Sequence, residues 1–393
     1  MGDEHGHQSL REQALARIDA LDVHEYERSR NFLDGHVSRL SPFLTHGITD
    51  VPEVIARLTA RDALRGNDKF LFELAWREYF HHAWRILGED IWREQRPPPA
   101  PAYAQEMPSD ILAAATGIAI IDTQIAALYE TGYVHNHARL WLASYIVHWR
   151  KVDWRTGARW MYGYLLDGDL ASNTLSWQWV AGTWTGKPYL FNAANVAKFA
   201  GGLDLSGTVL DASYADLTQM AHTAQPLLHA RPCNQTPTTP QPPLYDARHA
   251  AGLAAQLELP VIRQWPINLA RSVLHPWSLR NQEQHVAVGI LVPSFHRRYP
   301  WSAARWRFVL AAMKETCAAV CITEETDTAR AADLAMTRTV NPGYAELGNA
   351  LAAQGAQLRP APRACIDPNE LQRSFSAFWR CAQTAVVAQF AAR

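Results

Sequence analysis

The stretch DGDLASNTLSWQW, residues 167–179, sets two carboxylates about a glycine, then an asparagine, then two tryptophans about a glutamine. Hydrolysis draws on acids and bases but has no use for paired indoles. Metal ligation draws on carboxylates and imidazoles and needs indoles no more. A redox cofactor built on an aromatic ring uses every part of this set. Its polar edge takes the carboxylates and the carboxamide, and its electrons pass through neighbouring indoles.

Such residues must be held by helices here, because almost nothing before residue 205 alternates like a strand. Residues 9–35 read as helical and charged. The run HVSRLSPFLTHGITDVPEVIARL carries a turn into a helix, with Thr49 expected as its cap and Pro52 in its first turn. NDKFLFELAWREYFHHAWRIL repeats its apolar residues at three and four and predicts a long helix. REQRPPPAPAY breaks the pattern, and AIIDTQIAALYETG predicts a short helix ending at Gly132. HNHARLWLASYIVHW and DWRTGARWMYGYLL predict two more.

The proline-rich segment 231–246 reads as a linker. Beyond it the texture changes. HVAVGILVP predicts a buried strand, AAVCIT a second and QLRPAP a weak third. Helices are expected from Ser302 to Lys314, around Tyr344 to Gln354, and from Pro368 to Ala391. The expected fold is mainly α: a helical domain over 1–205, an extension and linker over 206–246, and a small α/β domain over 247–393.

Composition narrows the function classes. The chain has 393 residues, a formal net charge of -1 and 48% hydrophobic residues, enough for two cores and no basic footprint for nucleic acid overall. Cys317 and Cys321 are spaced C-x3-C, but no second pair makes a zinc or iron–sulfur set. No secretory signal, membrane partner or metal is expected, and a reducing cytoplasm fits the scattered cysteines. His81 and His82, or His135 and His137, do not share a helix face as a metal pair would. Fifteen tryptophans are unusual, and ten of them fall between Trp76 and Trp184. Arg150, Lys151, Arg155 and Arg159, interleaved with indoles, fit a phosphate-tracking patch or a solvated helix face equally well.

A bound dinucleotide flavin needs hydroxyls, amides and a guanidinium for its diphosphate, which Ser38 to Ser41 (SRLS) carries at a turn before a helix. Its ring needs partners near N5 and at the pyrimidine edge, roles open to Asn173 and Asp169, while Asp167 suits an arginine. The blocks RLSPFLTHG, FELAWREYF, TGYVHNHARL, DWRTGARWMYGYLLDGDLASN and SWQWVAGT, in this order, make the segment from Tyr26 to Phe199 resemble the FAD-binding helical domain of the photolyase/cryptochrome family. Trp154 lies thirteen residues before Asp167, the spacing of the family's relay tryptophan.

The resemblance implies FAD as cofactor. Tyr26, Ser38, Arg39, Leu40 and Ser41 would hold its phosphates and ribose; Phe70 and Arg77 would line it. Arg139 and Asp167 would pair beside the flavin, with Asp169 and Asn173 on the isoalloxazine. Trp177 and then Trp154 would carry electrons to it. Glu73, Trp76 and Asn136 match positions that grip a cyclobutane pyrimidine dimer flipped from DNA. UV-damaged DNA is thus the implied partner and light-driven dimer splitting the implied reaction. A blue-light receptor with a signalling protein partner is the alternative, and a light-independent flavoprotein the third.

Departures from the family accompany the match. Some twenty residues precede the helical domain where the family has an α/β antenna domain, so an antenna chromophore is not expected at that position. His137 replaces the arginine of the common His-Asn-Arg. Leu175-Ser176 replaces a Gly-Gly. No outermost relay tryptophan appears near PAPAYAQEM, where Trp149 or Trp160 would have to substitute.

Overall fold

The structure is a computed structural model that describes residues 8–66, 68–203, 205–226, 239–262, 271–281, 285–324 and 331–391. The chain divides into two compact units interleaved in sequence. One comprises Met1–Glu27, Ser38–Arg85 and Leu244–Arg393; the other comprises Arg28–Val37 and Ile86–Pro243.

In the first unit the leading helix, Leu10–Asp19, starts at a capping box in which Ser9 and Glu12 satisfy each other's orphan groups. Helix Val51–Ala60 is capped by Asp50, whose carboxylate accepts from the Glu53 amide at 2.8 Å. Thr49 is therefore not the cap; its hydroxyl donates to Glu53 instead. Asp50, one residue nearer the helix, reaches the first-turn amides directly. Pro52 lies in the first turn as expected. The Lys69–Leu87 helix buries Leu71, Leu74, Ala75 and Tyr79.

The same unit holds a six-stranded, wholly parallel sheet. Its order across is Val261–Ile262, Ala319–Ile322, Ala287–Leu291, Ser272–Leu274, Ala335–Thr337, Gln357–Arg359. From Ser272–Leu274 the chain winds outward to one side, then crosses back beside that strand and winds to the other. This is doubly wound topology, with its switch between Ser272–Leu274 and Ala335–Thr337. Ala287–Leu291 is buried at every residue, as its unbroken apolar run requires. The strands at 287–291, 319–322 and 357–359 fall where the sequence placed them. Those at 261–262, 272–274 and 335–337 are two or three residues long and too short to show a period.

The second unit is helical: Ala119–Thr131, Asn136–Ser144, Trp154–Tyr164, Leu170–Ala181 and shorter pieces. Gly132 ends the first with left-handed φ of 66°. Helix Asn136–Ser144 continues into a π turn, Tyr145–Trp149, which buries all five of its side chains. Residues 231–238 of the proline-rich segment, with Cys233, lie outside the described residues. Leu244–Tyr245 within the expected linker is a strand, paired with Trp301–Ser302. Among the described residues no helix is long and apolar enough to cross a membrane.

Candidate functional site

In the helical unit the DGDLASN stretch is the entry to helix Leu170–Ala181. Asp169 caps it, accepting from the Ser172 amide at 2.7 Å. Two residues earlier, the Asp167 side chain is 4% exposed and meets the Arg139 guanidinium at 2.8 Å. Arg139 is itself aimed by a second bond, from its Nε to the Val134 carbonyl at 2.8 Å. The Asp167 carboxylate, removed from water, needs this partner. Asn173 is buried in the first turn and donates to the Ala158 carbonyl at 2.8 Å, tying this helix to the preceding one.

The Ser172 hydroxyl, between them, is buried with no hydrogen-bond partner among the described residues. A buried carboxylate, a carboxamide and an unspent hydroxyl on one helix turn fit a flat ring that has both N–H donors and carbonyl acceptors, as isoalloxazine does.

The indoles follow on the same two helices. The Trp177 ring packs on Gly157 so closely that a Cβ there would lie 2.3 Å from two ring carbons. One helical turn before Gly157 is Trp154, which stacks on Trp92 with ring planes 7° apart and centroids 6.1 Å apart. Arg155 lies over Trp154 at 4.6 Å, and Arg159 over Trp92 at 4.9 Å.

The basic patch expected here does not form as either alternative. Arg150 is buried against Asp110 at 2.7 Å. Lys151 is buried too, its ammonium donating to the Met220 and Ala221 carbonyls, and burial lowers its pKa to about 8. Arg155 is spent on Asp153 and Glu94. Only Arg159 of the four is exposed.

His137, in the place of the family's arginine, donates to the Asn31 carbonyl at 2.8 Å, and burial pushes its pKa below the ordinary imidazole range. It adds no positive charge at neutral pH. Asn136 beside it is exposed, at the start of its helix, with His135 as the cap.

In the other unit Tyr26 meets Phe70 edge to face, centroids 5.0 Å apart. Arg39 has φ of 50° and Leu40 is right-handed. A left-handed residue followed by a right-handed one turns successive amides to one side, a concavity suited to phosphate oxygens. Ser38 Oγ accepts from the Leu40 amide at 3.4 Å, and Ser41 begins helix Ser41–Thr45.

Glu73 and Trp76, three apart on Lys69–Leu87, are neighbours on its surface and half-buried. Trp76 stacks on Phe375 of the C-terminal helix Phe375–Ala391, centroids 4.2 Å apart and planes 10° apart. Arg77 donates to the Thr45 hydroxyl at 3.3 Å. Both line a cavity of about 540 Å³ at the carboxyl ends of Ser272–Leu274 and Ala335–Thr337, together with Arg280, Arg338 and Arg359. Among the described residues no cluster of His, Cys, Asp or Glu is arranged for a metal ion.

The sequence reading leaves out Trp92, Arg155 and Gln178. Arg155 Nε donates to the Trp92 carbonyl at 2.7 Å, and Gln178 Nε2 donates to the carbonyls of Ile91 and Arg93, at 2.7 and 3.1 Å. The available signal was adjacency: each of these two side chains follows, in sequence, a tryptophan expected to carry electrons.

Residues 70–237 match the family described as the FAD binding domain of DNA photolyase. The deoxyribodipyrimidine photo-lyase of Streptomyces griseus is 37% identical over 164 residues, 41% of this chain and 36% of that protein. That of Escherichia coli is 36% identical over 183 residues, covering 44% and 38%. A cryptochrome DASH of Vibrio parahaemolyticus is 33% identical over 167 residues, covering 40% and 37%. The chain thus spans less than half the length of these curated relatives. Among solved structures, the archaeal photolyase of Sulfolobus tokodaii with two FAD molecules aligns at a TM-score of 0.42 and 26% identity, over 48% of this chain and 44% of that one. The match covers the turns that carry Arg139, Asp167, Asp169 and Asn173, and over residues 70–237 the chain is similar to the FAD binding domain of DNA photolyases.

Proposed function

We propose that the chain is a light-driven deoxyribodipyrimidine lyase that splits cyclobutane pyrimidine dimers in UV-damaged DNA. The observation that carries the reading is the Asp167–Asn173 turn: a buried Asp167 paired with the half-buried Arg139, leading into a helix with buried polar groups in its first turn, inside the family-matched stretch.

When bound and reduced, FAD would supply the electron that opens the dimer ring and would recover it afterwards. The protein's residues do the rest. Tyr26 and the Ser38–Ser41 turn would hold phosphate and ribose, and Phe70 and Arg77 would line the cofactor. Asp167 would keep Arg139 in place beside the ring, Asp169 would accept from a ring N–H, and Asn173 would serve its N5 side. Trp76 packs on the flipped dimer, Glu73 hydrogen-bonds it and Asn136 adds a polar contact. The test is illumination of the full chain with FAD, a reductant and dimer-containing single-stranded DNA. Dimer loss that Glu73→Ala abolishes supports repair.

A second reading, a blue-light flavin receptor with a protein signalling partner, is favoured by one observation. One ring face of Trp76 is stacked on Phe375, which closes that face to a base. Under that reading FAD is photoreduced in a Trp177-dependent way and no dimer is lost. A protein that takes up no FAD defeats both.

A further inference from the structure

Trp92 lies in the single turn Gly88–Trp92, far upstream of the other relay candidates in sequence. In space it is flat against Trp154, at 6.1 Å between centroids. Trp177 and Trp154 are 2% and 3% exposed, whereas Trp92 is half-buried and reaches water. The backbone that carries it is clasped by the side chains next in sequence to the two buried indoles: Arg155 holds the Trp92 carbonyl, and Gln178 holds the carbonyls on either side. We propose that Trp92 is the outer end of the relay that Trp177 and Trp154 begin. This rests on the reading above that light reduces the bound flavin through Trp177.

The chemistry of the indole N–H gives the relay a direction. Trp154 Nε1 is buried with no hydrogen-bond partner among the described residues. An oxidised Trp154 has no acceptor for its proton and remains a cation, facing the Arg155 guanidinium at 4.6 Å. Trp92 faces Arg159 at 4.9 Å and meets the same repulsion while it is a cation. Trp92 is half-buried where Trp154 is buried, so on this proposal it is the ring that passes its proton to solvent, becomes a neutral radical and escapes that repulsion. The positive charge therefore relaxes outward, from Trp154 to Trp92 and into solvent as a proton.

The alternatives nearer in sequence are poorer exits. Trp149 and Trp160 are both buried, and their N–H groups are committed to the Val209 carbonyl and the Tyr129 hydroxyl.

The balance for each electron passed inward is simple. Trp92 gives one electron to Trp154 and its N–H proton to water. A thiol reductant returns one hydrogen atom to Trp92, and two of the resulting thiyl radicals close as a disulfide.

The test uses the full chain carrying oxidised FAD, with a thiol and a light flash, and follows the indole-radical absorbance. In Trp92→Phe the first charge separation persists, but the radical recombines early and steady-state photoreduction falls roughly tenfold. Trp92→Tyr, which keeps an oxidisable ring of similar shape, restores much of the yield. Trp177→Phe removes both signals. A second measurement needs no flavin. Azide radicals are generated in the cofactor-free chain and the oxidation products are mapped by mass spectrometry, with Trp92 expected to carry them ahead of Trp149 and Trp160. Photoreduction in Trp92→Phe equal to the unsubstituted chain, or products that spare Trp92, overturns the assignment. An unsubstituted chain that shows no photoreduction overturns the parent reading instead, and the azide mapping then still decides for or against Trp92 as the exit.

Discussion

Trp92 and Trp76 invite comparison. Each is half-buried, and each lies flat against one aromatic ring. Trp92 is stacked on another indole, which leads by way of Gly157 to a third. Trp76 is stacked on Phe375, within a cluster of Phe72, Tyr79 and Trp379. Phenylalanine is hard to oxidise, so the second stack is a packing arrangement, while the first is a line of rings that can each lose an electron. The same residue type thus serves cohesion in one unit and, under the proposal, conduction in the other. What separates them is the neighbour and not the tryptophan.

Three substitutions test that contrast. Gly157→Val has the largest expected effect. The added carbons collide with the Trp177 ring, and overpacking of this kind costs about 1–3 kcal/mol. Thermal unfolding should show the loss, and flavin photoreduction should fall with it because the ring is pushed from its place. Phe375→Ala should cost about 1–2 kcal/mol, less than a fully buried phenylalanine because its surroundings are partly open to solvent. Hydroxyl-radical footprinting should then find Trp76 more reactive and Trp92 unchanged; equal changes at both would mean the two stacks are not independent. Arg159→Gln is the mildest. An exposed cation over a ring contributes less than about 1 kcal/mol, so stability should barely move, while Trp92 should become easier to oxidise in the azide experiment.

The parts of the molecule legible in its sequence are those with long periods or fixed chemistry. Helix Lys69–Leu87 and strand Ala287–Leu291 announce themselves through apolar repeats. The Asp167–Asn173 turn is legible through its unusual mixture of residues. Thr49 was the wrong cap because Thr and Asp stand side by side and only backbone geometry chooses between them. Arg150 and Lys151 look like surface charges, yet Asp110 and two backbone carbonyls allow both to be buried. Trp92 was invisible because nothing local ties it to Trp154; the tie is a pair of side-chain bonds across distant segments.

The interleaving of the two units has a practical consequence. The family-matched stretch, residues 70–237, includes Phe72, Trp76 and Tyr79 but not the helix that shields them. Cut out and expressed alone, that fragment would carry a bare aromatic stripe into water and be prone to aggregate. Useful truncations should keep Phe375 to Ala391, however remote that tail looks from the flavin.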